Sequence, residues 1–72
     1  PATDLLAIKL TLDNTSDVSI SMNNMLGQNV FKEDFNLKDL YTELDVSEYR
    51  SGLYVVKISV NQQVFTKPLV IE

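Results

Sequence analysis

Residues 51–71 read SGLYVVKISVNQQVFTKPLVI, and the way this run divides decides the fold. After Gly52, the residues Tyr54, Val56, Ile58 and Val60 alternate with Leu53, Val55, Lys57 and Ser59. A period of two sends successive side chains to opposite faces of a strand. Asn61-Gln62 then leaves a gap of hairpin length before a second strand over 63–71. Gln is a poor second residue for a type I′ turn, so the spacing gives the hairpin without its turn type. Pro68 cannot donate to a ladder, which places the last strand at a sheet edge or leaves its N–H side unpaired there. Gly52 reads as a turn residue that needs a positive φ.

Outward from this hairpin the same period recurs. In DLLAIKLTL (4–12), Leu6, Ile8, Leu10 and Leu12 share one face, with Lys9 and Thr11 opposite. DNTSD (13–17) has the Asx and Ser/Thr chemistry of a turn. VSISMN (18–23) points Val18, Ile20 and Met22 inward and Ser19, Ser21 and Asn23 outward. Gly27 supplies the next turn. QNVFKEDF (28–35) is irregular, with Val30 and Phe31 adjacent, as in an edge strand with a bulge.

One segment conflicts with itself. Leu37, Leu40, Tyr41 and Leu44 fall at helical spacing, yet Thr42, Leu44 and Val46 alternate with Tyr41, Glu43 and Asp45. The β character of every neighbour favours a strand over about 41–46, followed by a turn at 47–52. Six strands with turns every 8–12 residues make an all-β sandwich.

Seventy-two residues give one small domain, 1–72, with a thin margin between burial and conformational entropy. No Cys and no His are present, which removes disulfides, the usual zinc ligands and the His-dependent catalytic triads. A partner or a parent protein is the expected source of further stability. The net charge is −4 and the six basic residues are scattered, so nucleic acid is a poor partner. No apolar run approaches the roughly 20 residues of a membrane-spanning helix. The chain opens Pro-Ala-Thr-Asp without a Met, and it reads as a piece cut from a longer protein.

Reactive chemistry is hard to find. The carboxylate pairs Glu33-Asp34 and Asp45 with Glu48 would need burial for acid–base work, and a domain this thin has little room for a cleft. Asp13, Thr15 and Asp17 have the alternate spacing of a calcium loop, but Val18 and Asn24 stand where Gly and Glu are required. Asn14-Thr15-Ser16 is formally a glycosylation sequon. Tyr54 reads as core, with Phe31 and Phe65 as further cover. No enzyme, cofactor or metal site is expected.

Four segments together resemble one family. They are PATDLLAIKL (1–10), VSISMNNMLGQNV (18–30), LDVSEYRSGLYVVKI (44–58) and FTKPLVIE (65–72). In this order and spacing they look like the type A C-terminal sorting domain of the Por, or type IX, secretion system. The resemblance implies a small immunoglobulin-like antiparallel β-sandwich of about six to seven strands. It also implies a non-catalytic signal that directs an N-terminal cargo, a protease or an adhesin, through the translocon and across the outer membrane. Cargo would pass through the periplasm and finish at the cell surface or outside the cell, where a sortase removes the signal. Carried over by position, the recognition residues would be Gly27, Gly52, Tyr54, Lys67, Leu69, Val70 and Ile71. The chain departs from the family pattern in lacking the opening Pro-Asn and in having Pro68 and Glu72 near its end.

An edge strand carries unpaired N–H and C=O groups that a receptor can pair with by strand addition. The same edge would allow a domain-swapped homodimer in isolation. The rival reading is an immunoglobulin-like accessory or adhesive module of a surface enzyme that binds carbohydrate or protein. A structural cap on a neighbouring catalytic domain is a third.

Overall fold

A computed structural model describes residues 5–72. Four strands form: β1 (Leu5–Asn24), β2 (Asn29–Asp45), β3 (Gly52–Val60) and β4 (Gln63–Ile71). They make one antiparallel sheet in the order β2-β1-β3-β4. The all-β antiparallel expectation therefore holds. Four strands of one sheet stand where six to seven strands of an immunoglobulin-like sandwich were expected. Asp4 and the PATD opening lie outside the described residues.

The difference has a local cause. DNTSD does not end a strand; it forms a bulge inside β1. Thr11 pairs with Asp39 and Ser16 with Leu37, so residues 12–15 oppose Lys38 alone. The Ser16 hydroxyl, buried here, donates to the Asn14 carbonyl at 2.9 Å and satisfies itself within the bulge. The extra residues change the phase of β2. Phe35 and Leu37 face the core before the bulge, and Leu40, Thr42 and Leu44 after it. Leu37 and Leu40 thus sit three apart on one side of a strand, which explains the helix-like spacing. Tyr41, the remaining member of that pattern, is 62 % exposed.

A second bulge lies at Val30, between the pairs Met22–Phe31 and Asn23–Asn29. Asn29 braces it, its side-chain amide donating to the carbonyls of Phe31 at 2.9 Å and Met22 at 3.3 Å. The adjacent Val30 and Phe31 are both half-buried.

A straight strand of 20 residues would run roughly 66 Å at about 3.3 Å per residue. The longest dimension of the molecule is 37 Å and the shortest 15 Å, so β1 must bend. It does so at the bulge, and residues 5–12 fold back over the inner face of β3 and β4. Leu12 and Leu10 lie beside Val60 and Phe65, and Leu6 beside Leu69. One core results, with Ile8 and Leu40 from the folded-back part joining Val18, Ile20, Met22 and Val56. Met22 and Val18 are the largest side chains wholly withdrawn from water.

The turns match their residues. Gly27 (φ +82°) follows a turn in which its N–H donates to the Asn24 carbonyl at 3.0 Å. The Asn24 side-chain oxygen accepts from the N–H groups of Leu26 and Gln28, both at 3.0 Å. Asn61 (φ +46°) and Gln62 (φ +78°) both have positive φ, the mark of type I′, which settles the turn type between β3 and β4. Asn61 also ties this turn to the bulge. Its N–H donates to the Asp17 carbonyl at 3.0 Å, and its side-chain oxygen accepts from the Asp17 N–H at 3.1 Å.

Candidate functional site: the terminal hairpin and its free edge

The turn that feeds the terminal hairpin is built from the DVSEYRSG run (45–52). Asp45 accepts from both the N–H of Ser47 at 2.9 Å and its hydroxyl at 2.6 Å. The Ser47 hydroxyl, and then its N–H, hold the Asp45 carboxyl below the usual carboxylate range. Val46 is buried beneath this turn, and its carbonyl accepts from the Tyr49 N–H at 3.2 Å. Tyr54 is buried, and its hydroxyl donates to the Arg50 carbonyl at 2.7 Å. A tyrosine bonded to backbone a few residues upstream is the corner device of β-sandwich domains. The rings of Tyr49 and Tyr54 meet at 6.1 Å and 58°, a tilted aromatic contact.

Gly52 has φ +153°, a region open essentially to glycine alone, although nothing lies within 4 Å of where its side chain would begin. Its place in the motif is fixed by backbone conformation, not by space.

The register brings most of the sequence-predicted recognition residues together. Gly52 pairs with Ile71, Leu53 with Val70, and Tyr54 with Leu69. Asn24 pairs with Tyr54, so the turn carrying Gly27 leaves the sheet at this same end. Lys67 lies further along β4, opposite Val56. Their surroundings divide them. Tyr54 and Ile71 are buried, Leu69 is half-buried, and the two glycines serve backbone turns. Lys67 and Val70 are exposed, Val70 at 66 %. Only these last two side chains are open to a partner.

β4 is an edge strand, the first of the two placements that Pro68 allows. A two-residue hairpin closes on a mutually hydrogen-bonded pair, here Val60 and Gln63. Alternation along the ladder then turns the backbone groups of 64, 66, 68 and 70 away from β3. Pro68 falls in this outward set, where its missing N–H costs the ladder nothing.

Sequence reasoning did not find the surface opposite β4. A cleft of about 450 Å³ runs between β4 and the folded-back part of β1, and Phe65, 53 % exposed, stands in its wall. No periodicity could reveal it, because its two sides come from opposite ends of the chain.

Among the described residues no three His, Cys, Asp or Glu side chains gather as a metal site. Glu33, Asp34, Asp45 and Glu48 are all exposed. Asp17 is engaged by the Asn36 side-chain amide at 2.6 Å. The Tyr41 hydroxyl donates to Glu43 at 2.7 Å, and that bond above all raises its pKa.

Comparison with known protein families gives a match over residues 1–72 to the secretion system C-terminal sorting domain. The chain belongs to this family. The sorting domain of the type IX system is a C-terminal secretion signal, and it implies an attached cargo, contact with the secretion machinery and export across the outer membrane. No curated protein and no solved structure gives a significant match. In this sorting domain the glycines and tyrosines of the resembling segments are accounted for by turn and core geometry.

Proposed function

We propose that the domain is a non-catalytic address whose readable part is β4, with Lys67 and Val70 as the side chains presented to the export machinery. The observation that carries this reading is the contrast along one strand. Among the described residues β4 is the edge of the sheet, and on it Lys67 and Val70 face solvent, while Leu69 and Ile71 anchor the strand to the core. The family match over the whole chain supplies the context. Gly27, Gly52, Tyr54, Leu69 and Ile71 contribute by holding the strand in place. After export a sortase removes the domain, and the cargo remains at the surface or leaves the cell.

The test is a periplasm-targeted reporter fused to residues 1–72, placed in a bacterium with a type IX system and in its translocon-null mutant. The parent should move the reporter to the surface or medium, and the mutant should retain it in the periplasm. Val70→Asp and Lys67→Glu should block export while the melting temperature holds. Ile71→Asp is no such test, since Ile71 is buried and the change would damage the fold. Normal export of both folded variants would sink the reading of β4, and retention in both strains would sink the address altogether.

A further inference from the structure

The cleft between β1 and β4 has a feature that side-chain packing alone does not produce. Its walls are two runs of consecutive residues, 6–10 of β1 and 65–69 of β4, with Val56 and Ile58 behind them. Side chains of a strand alternate between faces. Neighbours of both parities border one cavity only where it meets the backbone edge of the strand. Both walls are edges. Among the described residues β1 pairs with β3 only from Val18 onward, and none pairs with its side away from β2 over 5–11. β4 turns its own free edge outward at 64, 66 and 70. The cleft is continued at either end by two smaller ones that share Leu6 and Leu69, or Leu10 and Phe65, with it. The seam therefore runs the length of β4.

Its charge is also distinctive. The chain has ten acidic residues against six basic ones. Yet the charged residues that line the central cleft are Lys9 and Lys67, one from each wall, and no carboxylate lines it. An acidic protein presents a locally basic, apolar slot between two unsatisfied edges.

We infer that this seam is a docking slot for an extended segment of a partner protein whose cleft-facing side chains, at every second position, are apolar on either side of one acidic residue. The segment adds as a strand to the outward groups of β4. Its apolar side chains cover Phe65, Leu69 and the aliphatic residues of β1. The carboxylate between them, on the same face, meets Lys67, which lies between Phe65 and Leu69 on one face of β4, with Lys9 on the opposite wall. This deepens the reading of β4 as an address by giving the chemistry of what reads it. It also enlists Lys9, far from β4 in sequence, as a determinant of specificity.

The probe is the capped heptapeptide Ser-Val-Ser-Glu-Ser-Val-Ser, which puts Val, Glu and Val on one face; it is titrated into the 72-residue chain and followed by backbone amide resonances. Resonances of residues 6–10 and of 64, 66 and 70 should move, and binding should weaken as salt is raised. The Lys counterpart should bind at least about tenfold more weakly, and Lys9→Glu with Lys67→Glu should reverse that preference. Thr66→Pro removes an N–H that faces away from β3, so it should abolish binding while the fold remains. The two charge reversals, on exposed side chains, decide the matter if the proline variant does not fold. Equal affinity for both peptides, shifts confined to β2, or no binding at millimolar peptide would overturn the inference. So would sedimentation showing that a second copy of the chain fills the slot. Failure here with export intact removes the slot and leaves the address; lost export with binding intact does the reverse.

Discussion

The hydroxyl of Tyr54 reaches back four residues to the carbonyl of Arg50, at 2.7 Å, and so clamps the turn that launches the terminal hairpin. The ring also fills the core beside Tyr49. Tyr54→Phe keeps the ring and removes only the clamp. It should cost about 1–2 kcal/mol, since a half-buried carbonyl loses its partner. Urea unfolding should show a lower midpoint with unchanged slope. An unchanged midpoint would mean that the bond contributes nothing to holding β3.

Gly52 separates conformation from packing. A methyl group there would meet open space, but φ +153° is hostile to any side chain. Gly52→Ala should therefore destabilise by about 1–3 kcal/mol through backbone strain. Thermal melting checks this, and a neutral result would show that the turn relaxes into another conformation.

Gln62 is the opposite case, a side chain where glycine is preferred. At φ +78° it carries the second position of the type I′ turn. Gln62→Gly should stabilise by about 0.5–1 kcal/mol, the relief of left-handed strain less the added flexibility of the unfolded chain. Asn61→Ala should do the reverse, because it leaves the Asp17 N–H without its acceptor. Unfolding curves of the pair should move in opposite directions.

Asp45 makes part of the stability pH-dependent. Its folded pKa is depressed, with the Ser47 hydroxyl as the main cause. Between the folded value and the unfolded value near 3.9 the unfolded chain binds more protons. The contribution is therefore complete above about pH 5, and it is lost as pH falls through the folded pKa. Asp45→Asn should be less stable than the parent at neutral pH, and the gap should close in acid. Melting temperatures from pH 7 to pH 2 would show it, and a gap constant with pH would remove Asp45 as the cause.

The terminal hairpin was legible because its signals are local: alternation on both sides of a two-residue gap, and a proline that an edge tolerates. The continuity of β1 was not. Asp13, Asn14, Thr15 and Ser16 have the composition of a turn, and composition cannot say whether a chain reverses or merely bulges. That depends on what stands opposite, here Lys38 alone. The phase change between Leu37 and Leu40 has the same origin, which is why one segment carried two periodicities. Within the candidate site, the motif residues were visible but their division of labour was not. Burial separates Ile71 from Val70, and burial is a property of the folded sheet.

Pro68 stands among the outward backbone groups of β4 and interrupts their donors between 66 and 70. A bare sheet edge is a template on which identical chains can stack, and many copies of a signal crowded in one compartment would be prone to it. Each such stack would forfeit a bond at every proline. One donor is thus missing among the four outward positions, which makes the edge a poorer template for stacking, and Pro68 is a gatekeeper on the strand that the sheet exposes.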